Sequence, residues 1–363
     1  MEVHRLLDAS ANRAREGLRV VEDYVRFVLD DALLCRELKQ IRHDLGDALA
    51  VFDLRPLLAS RETQHDVGTT VSTLQERDRP HLAAVAAASF KRTQEALRSL
   101  EEYSKLAAAR TLLSSDRSLS VSETFEQLRY RLYTVERAVL LGAESRDRLK
   151  DVRLYAIVST AGCRGDIEAV VRGALAGGAQ AIQLREKDLA DRALLDLARA
   201  IRRWTREADA LFIMNDRPDI ARLSDADGVH VGQDELGVKD ARRIVGPDRL
   251  VGVSTHNLDQ VRRAVFDGAD YLGVGPVFPS ATKQFSDLAG LKFVREAVKE
   301  TTLPAFAIGG ITPENVGEVL RAGAERVAVS AAVCAAEDPA AAARGLRQRL
   351  QERSLSRPAI TGQ

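Results

Sequence analysis

Polar side chains suited to binding phosphate recur in the second half of the chain. The segment 183–187, Gln-Leu-Arg-Glu-Lys, places Gln183, Arg185 and Lys187 two residues apart, so in an extended chain these three lie on one face. Arginine offers phosphate oxygens a planar fork of donors, and lysine offers a point charge. Together with Lys283 from a later segment, they predict a basic pocket for a diphosphate; a solvated strand end is the simpler alternative.

Amide and acidic side chains follow two other apolar runs. Asn215 and Asp216 end one run, and Asp234 and Glu235 follow the next. Mg²⁺ prefers such oxygen ligands and is usually held by one or two carboxylates plus substrate phosphates. We therefore predict a magnesium site that faces the basic pocket. For Asp216 the alternative is a helix cap, because Asp shortly before Pro218 is a helix-start signal.

Small residues predict a second anion site. Gly309 and Gly310 follow one apolar run, and Ser330 follows the next. Glycines let backbone N–H groups approach phosphate oxygens, and a helix beginning there adds its positive end; a tight turn without a ligand is the alternative. One site would suit a diphosphate and the other a monophosphate. The pair predicts transfer of an organic group from a diphosphate to a phosphorylated acceptor, with cations neutralising the departing charge.

A scaffold of alternating strands and helices is predicted to bring these side chains together. The candidate strands are Leu154–Ser159, Ala181–Glu186, Leu211–Asn215, Gly228–Val231, Leu250–Thr255, Tyr271–Phe278, Pro304–Ile308 and Arg326–Ser330. Each is followed by a helical pattern or a connection long enough for one. Eight such units predict an α/β fold, a (β/α)8 TIM barrel, in which the carboxyl ends of all strands meet at one rim. A doubly wound open sheet is the alternative.

Helix-breaking residues divide the chain in two. Residues 1–150 contain only 4 of the 24 glycines and 2 of the 10 prolines. Such a stretch, rich in Leu, Ala, Arg and Glu, predicts an all-α domain. We expect the boundary in the charged segment Glu144–Asp151, with the helical domain over 1–145, the barrel over 151–352 and a tail over 353–363.

An internal repeat organises the helical domain. Residues 10–24 match residues 89–103 at seven of fifteen positions, and residues 40–45 resemble residues 127–132. The repeat predicts a duplicated helical hairpin, hence four main helices with approximate two-fold symmetry. Equivalent polar stripes either form salt bridges on a solvated face or line a cleft between the copies; they comprise Arg13, Glu16, Arg19 and Glu22, and Arg92, Glu95, Arg98 and Glu101.

Composition excludes several classes of protein. Lys+Arg and Asp+Glu both total 53, so the net charge is zero, which argues against a nucleic-acid or membrane-surface binder. The three cysteines, Cys35, Cys163 and Cys334, form neither a zinc pattern nor a disulfide framework. The N-terminus lacks the apolar core of a signal peptide, and no apolar run approaches the ~18 residues of a membrane span. We expect a cytoplasmic enzyme with small-molecule substrates; homo-oligomer formation is left open.

Six motifs make residues 152–351 similar to the thiamin phosphate synthase family. In chain order they are Gln-Leu-Arg-Glu-Lys at 183–187, Met-Asn-Asp at 214–216, Gly-Val-His-Val-Gly-Gln at 228–233, Gly-Val-Ser-Thr-His at 252–256, Gly-Pro-Val-Phe-Pro-Ser-Ala-Thr-Lys at 275–283 and Ile-Gly-Gly-Ile at 308–311. The resemblance implies a transferase that condenses hydroxymethylpyrimidine diphosphate with thiazole phosphate and releases pyrophosphate. It also implies Mg²⁺ dependence and a dissociative mechanism through a pyrimidine cation.

The resemblance also assigns roles to individual residues. It implies a substrate-binding set of Gln183, Leu184, Arg185, Glu186, Lys187, Asn215, Ser254, Ser280, Ala281, Thr282, Lys283, Gly310, Val329 and Ser330. Within that set it implies catalytic roles for Arg185, Lys187, Ser254 and Lys283. Asp216 and Glu235 would bind the metal. The family's Gly-Gln-x-Asp pattern has Glu235 in place of its Asp here, so Asp234 is the alternative second ligand.

Two other activities fit parts of this pattern. A thiazole tautomerase-like barrel without synthase activity shares the fold, although it need not hold a diphosphate and metal; a non-catalytic ligand-binding regulator is a second alternative. The helical domain resembles one often fused ahead of these synthases and associated with phosphorylating hydroxymethylpyrimidine phosphate. Because it has no Gly-x-x-x-x-Gly-Lys-Ser/Thr loop, a kinase and a packing module both remain open.

Overall fold

The computed structural model describes residues 2–62, 64, 79–107, 113, 115–280 and 288–356. The chain divides into two compact units, Met1–Leu140 and Leu141–Gln363. The predicted boundary segment, Glu144–Asp151, lies a few residues later than this division. The difference arises because the last turns of one long helix belong to the second unit, where Ser145 donates a hydrogen bond to Asp270 at 2.6 Å.

The described residues of the first unit form helices joined by turns and short loops. Its helices are α1 (Glu2–Tyr24), α2 (Ala32–Leu49), α3 (Leu54–Ala59), α4 (Leu82–Ser104) and α5 (Ser115–Arg148), with one π-helical turn at Val25–Leu29. Side chains cap three of them: Asp31 accepts a hydrogen bond from the Leu34 N–H, Asp53 accepts one from the Arg55 N–H, and His81 accepts one from the Ala84 N–H. Four long helices are therefore present, as the repeat predicts, and α3 is added between the hairpins.

The two copies of the repeat pack against each other through α1 and α4. At their crossing, a side chain on Gly17 would collide with Thr93 Oγ1 and would lie 3.1 Å from the Ser89 carbonyl oxygen. Glycine therefore permits the close approach of the two helices. Leu18 and Leu97, one from each copy, are almost completely buried beside this crossing, so the apolar stripes of the repeat form the core of the unit.

Equivalent ion pairs hold each hairpin together. Glu22 on α1 accepts a hydrogen bond from Arg42 Nε on α2 at 3.0 Å, and Glu101 on α4 accepts one from Arg129 Nε on α5 at 3.1 Å. Glu22 and Glu101 are 79 residues apart, as the repeat requires. The remaining members of the polar stripes are exposed, and they comprise Arg13, Glu16, Arg19, Arg92, Glu95 and Arg98. This arrangement favours the first interpretation, in which the stripes form salt bridges on a solvated face, and not the second, in which they line a cleft.

The second unit contains a closed barrel of eight parallel strands, which confirms the predicted fold. The strands are β1 (Leu154–Val158), β2 (Ala181–Leu184), β3 (Leu211–Asn215), β4 (Gly228–Val231), β5 (Leu250–Thr255), β6 (Tyr271–Val274), β7 (Ala305–Ile308) and β8 (Arg326–Val329). Each strand pairs with the next, and β8 pairs with β1. Closure excludes the open doubly wound sheet.

Helices surround the barrel: among the described residues, one helix follows each of the strands β1 to β7, and two follow β8. They are α6 (Ile167–Ala176), α7 (Asp191–Glu207), α8 (Pro218–Leu223), α9 (Val238–Val245), α10 (Leu258–Asp267), α11 (Gly290–Glu300), α12 (Val316–Arg321), α13 (Ala331–Cys334) and α14 (Pro339–Ser356). Their apolar faces cover the outside of the sheet, while alternate strand residues fill its interior. Within the described ranges of both units, no helix is long and apolar enough to cross a membrane.

Candidate active site

A cavity of about 610 Å³ opens at the carboxyl ends of the barrel strands. Its floor is formed by the rings of Tyr155, Tyr271 and Phe306, whose centroids lie 5.3–6.1 Å apart in edge-to-face contacts. Its walls are formed by the residues that end the strands. This is the rim at which a barrel of this kind places its chemistry.

Most of the predicted site residues line this one cavity. They are Gln183, Arg185, Lys187, Asn215, Asp216, Asp234, Glu235, Ser254, Ser280, Gly310, Val329 and Ser330. Two predicted residues do not line it: Leu184 is completely buried, and Glu186 accepts a hydrogen bond from the Thr160 backbone. The remaining predicted residues, Ala281, Thr282 and Lys283, lie outside the described residues.

One wall carries a cation between two carboxylates. Lys187 Nζ lies 2.5 Å from Asp216 Oδ2 and 3.6 Å from Glu235 Oε1. The Asn215 amide donates a hydrogen bond to the same Asp216 oxygen at 2.6 Å. Asp216 does not cap α8, since that helix has Arg217 as its N-cap and no side-chain capping bond. Its carboxylate is therefore directed to the cluster.

The backbone holds Asp216 in an uncommon conformation. Its φ is +59°, in the left-handed region. The turn is closed by a hydrogen bond from the Arg217 N–H to the Asn215 carbonyl oxygen at 2.7 Å, and the Asp216 N–H bonds to the His230 carbonyl oxygen at 2.8 Å. Such a conformation costs about 1–3 kcal/mol and persists where the surrounding structure fixes it. The conformation that directs the Asp216 carboxylate into the cavity is therefore one that lowers the stability of the fold.

Glu235 reaches the same cluster because a glycine leaves room for it. A side chain at Gly232 would collide with Glu235 Oε2. The Glu235 side chain therefore folds back over Gly232. This position accommodates the methylene that Glu has in addition to the Asp of the family pattern. Asp234 also lines the cavity, but Glu235 is the acidic residue whose contact with Lys187 joins it to Asp216.

The opposite wall is built from backbone and small side chains. Gly309 and Gly310 have φ values of +104° and +61°, and a side chain at Gly310 would collide with the Pro279 carbonyl oxygen. Only glycine fits such a position without strain. The Asn315 amide donates to the Gly310 carbonyl oxygen at 2.8 Å, which holds the turn, and Ser330 lines the same side of the cavity.

Known proteins are similar to this chain in sequence. The family model described as "Thiamine monophosphate synthase" matches residues 154–333. Thiamine-phosphate synthase of Thermosynechococcus vestitus is 43% identical over 352 residues, which cover 96% of this chain and 95% of the relative. That of Rhodopirellula baltica is 42% identical over 358 residues, which cover 96% of this chain and 93% of the relative.

The chain belongs to the thiamine-phosphate synthase family.

A solved structure extends the likeness from sequence to fold. Thiamine phosphate pyrophosphorylase from Pyrococcus furiosus superposes with a TM-score of 0.52 at 39% identity, covering 55% of this chain and 96% of that one. The "ThiD2 family" model matches residues 5–138. Family membership makes this chain a transferase of thiamine biosynthesis that acts by condensation, with a second family's domain preceding the synthase barrel.

The synthase barrel also contains a chain of hydrogen-bonded side chains that sequence reasoning missed. Gln183 Nε2 lies 2.7 Å from the Tyr155 hydroxyl, which lies 3.1 Å from the Tyr271 hydroxyl. Tyr271 lies 3.2 Å from His230 Nδ1, and His230 Nε2 lies 2.9 Å from Ser254 Oγ. Sequence reasoning named the two ends, Gln183 and Ser254, but not the three residues that join them.

Burial controls the ionisation of this hydrogen-bonded chain. Desolvation lowers the pKa of His230 to about 4, against the opposing effect of the Asp216 charge, so the imidazole is neutral at physiological pH. Desolvation also raises the pKa of Tyr271 well above its usual value. The period-two alternation of strand residues could have shown that Tyr155 and His230 face the interior, since each lies two residues from a position that lines the rim.

Proposed function

We propose that this cavity joins hydroxymethylpyrimidine diphosphate to thiazole phosphate. The observation that carries the proposal is that two unlike groups of residues line one cavity: the cations Arg185 and Lys187 beside the acidic pair Asp216 and Glu235, and, on the other wall, the glycine turn at Gly310 with Ser330. The first suits a diphosphate and the second a monophosphate. Relatives named thiamine-phosphate synthase over nearly the whole chain favour this reaction over the tautomerase alternative.

The residues fit a dissociative transfer. The bond between the pyrimidine methylene carbon and the diphosphate oxygen breaks, and its electron pair leaves with pyrophosphate. Arg185 and Lys187 stabilise the negative charge that develops there, because they are cations already in place where that charge appears. The thiazole nitrogen then bonds to the methylene carbon, while the glycine wall holds the acceptor phosphate. Gln183 and Asn215 line the wall beside the pyrimidine.

Magnesium fits the acidic pair. Asp216 and Glu235 both contact one cation, Lys187 Nζ, so their oxygens already face a common positive charge. In the described ranges no group of three or more His, Cys, Asp or Glu side chains could hold a metal, but Mg²⁺ commonly takes only one or two carboxylates and completes its shell with substrate phosphates and water. Bound there with substrate, it would neutralise charge on the leaving diphosphate.

Product formation by the full-length chain tests this function. The purified protein is given both phosphorylated substrates with Mg²⁺, and thiamin phosphate and pyrophosphate are measured. We expect both products in equal amounts, and we expect excess EDTA to abolish them until Mg²⁺ is added back. A folded protein that makes neither product would overturn the proposed reaction, and unchanged synthesis in EDTA would remove the metal from it.

For the helical unit we propose a kinase that converts hydroxymethylpyrimidine phosphate into the diphosphate used by the barrel. The match of residues 5–138 to the "ThiD2 family" model and the resemblance described above support this role over a packing module. The full-length chain, given ATP, the pyrimidine monophosphate and thiazole phosphate, should make thiamin phosphate without added diphosphate. If it makes product only when the diphosphate is supplied, the packing module is the better account.

A small-molecule enzyme of this kind would work in the cytoplasm.

A further inference from the structure

The hydrogen-bonded chain beneath the cavity has a direction. Gln183 donates its amide N–H to the Tyr155 hydroxyl. A phenol has one hydrogen. The order in which each phenol hydrogen meets an acceptor within this chain runs from Tyr155 to Tyr271 and from Tyr271 to His230 Nδ1. The neutral imidazole then carries its hydrogen on Nε2 and donates to Ser254 Oγ. In this order each tyrosine hydroxyl accepts one hydrogen bond and donates one, and each ring nitrogen of His230 has one partner.

The direction determines what the last member can do. Ser254 Oγ accepts from His230, so its own hydrogen is free of that bond and Ser254 lines the cavity. A hydroxyl that already accepts a hydrogen bond is a better donor, because hydrogen bonds in a chain polarise one another. Three of the four hydrogen bonds are buried: Gln183, Tyr155 and Tyr271 are each 2% exposed, and His230 is 7% exposed. Water therefore competes little with the order of donors.

We propose that Tyr155, Tyr271 and His230 are positioning residues that hold Ser254 as a hydrogen-bond donor to the pyrimidine diphosphate. This inference rests on the proposed synthase reaction and deepens it. A donor at that point would meet the leaving diphosphate oxygens, which are acceptors without hydrogens at neutral pH. The three residues act through Ser254 and need not touch the substrate.

A double-mutant cycle tests the coupling. Tyr271→Phe removes one hydroxyl and keeps the ring. We expect kcat/KM for the pyrimidine diphosphate to fall about tenfold, the value of one hydrogen bond to a charged group, with KM for thiazole phosphate unchanged. In a Ser254→Ala background the same change should cost less than about twofold, because the donor it positions is already absent. Equal losses in both backgrounds would overturn the proposal.

A matched control separates hydrogen bonding from packing. Phe306 contacts the rings of Tyr155 and Tyr271 at centroid distances of 5.3 and 5.6 Å and has no polar atom on its side chain. Phe306→Leu disturbs the same floor, so its cost should be the same with Ser254 and with Ala at that position. If Phe306→Leu shows the same coupling as Tyr271→Phe, packing accounts for the effect and the proposal fails.

The histidine tautomer provides a readout that needs no variant to be active. Nitrogen-15 NMR of the full-length protein distinguishes a protonated from an unprotonated ring nitrogen, and His230→Gln identifies the signals. We expect a proton on Nε2 and none on Nδ1; a proton on Nδ1 alone means the opposite direction and overturns the proposal even if Tyr271→Phe fails to fold. Failure of the proposed function looks different, because the unmodified chain would then make no thiamin phosphate.

Discussion

The helical unit and the barrel both contain clustered charges, but their surroundings differ. The Glu22 and Glu101 side chains are 2% and 4% exposed, and each pairs with an arginine of its own hairpin. At the barrel rim, the side chains of Lys187, Asp216 and Glu235 are 47%, 17% and 33% exposed and meet on a cavity wall. The two carboxylates of the helical unit are closed to solvent, and the rim cluster is open to it.

This difference in exposure separates structural from functional charge. Breaking a buried ion pair leaves an uncompensated charge away from water and costs several kcal/mol, so such a pair keeps its partners. An exposed cluster is screened, and its ion pairs contribute little to stability. Its side chains can therefore give up their ion pairs with one another and bind a diphosphate or a metal ion instead, at a small cost in stability.

Asp216→Asn should produce the largest effect, and it should be on activity. Asparagine tolerates the left-handed conformation that this position requires, so the turn should survive while one negative charge is lost. We expect kcat/KM for synthesis to fall about 10²–10³-fold, as for other losses of charge stabilisation at an active site, with unfolding by urea nearly unchanged. A variant that loses stability but keeps its activity would show that the rim cluster is structural.

Glu101→Gln should have the opposite signature. The neutral amide leaves Arg129, 11% exposed in its side chain, without its countercharge. We expect the free energy of unfolding to fall by about 3 kcal/mol, measured by far-ultraviolet circular dichroism in urea. Synthesis from supplied diphosphate should keep its kcat in the folded protein. A variant as stable as the parent would contradict the assignment of this pair to the core.

Acid should weaken the barrel through a buried group in its interior. His230 titrates near 6.5 in the unfolded chain and at about 4 when folded, so between these values the unfolded state binds more protons. Stability should therefore fall as the pH drops from about 6.5 to 4, by roughly 3 kcal/mol at most. Trp204, the one tryptophan of the chain, lies in the barrel unit and reports its unfolding by fluorescence. His230→Gln should flatten the curve in this window; parallel curves would contradict this origin.

Local patterns predicted most of this fold because each element carries its own periodicity. The predicted bounds of β3, β4 and β5 agree with the structure, since a polar residue or a glycine ends each of their apolar runs. The predicted sixth strand reaches Phe278, but β6 ends at Val274, because Pro276 cannot donate to a sheet ladder. The helices α8, α9 and α13 have six, eight and four residues, which is too few turns for a clear helical period.

For the candidate site, the sequence predicts some residues but not the contacts between them. Arg185, Asp216 and Ser330 could be found because each directly follows a strand, and every strand of a barrel ends at the same rim. Tyr155 and Tyr271 could not be paired from the sequence, since they are 116 residues apart and meet only across the closed barrel. Alternation says which way a strand residue faces but not which residue it meets there.

Glu22→Gln should give the smallest effect, and it compares the two copies of the repeat. Its partner Arg42 is 28% exposed in its side chain, against 11% for Arg129, so water screens the charge left behind more effectively. We expect Glu22→Gln to cost about 1 kcal/mol less than Glu101→Gln, measured by the same urea titration. Equal costs would mean that the change of hydrogen bonding, and not the exposure of the arginine, sets the penalty. A larger cost for Glu22→Gln would contradict the expectation that the penalty falls as the arginine partner becomes more exposed. It would also contradict the use of exposure to distinguish structural from functional charge.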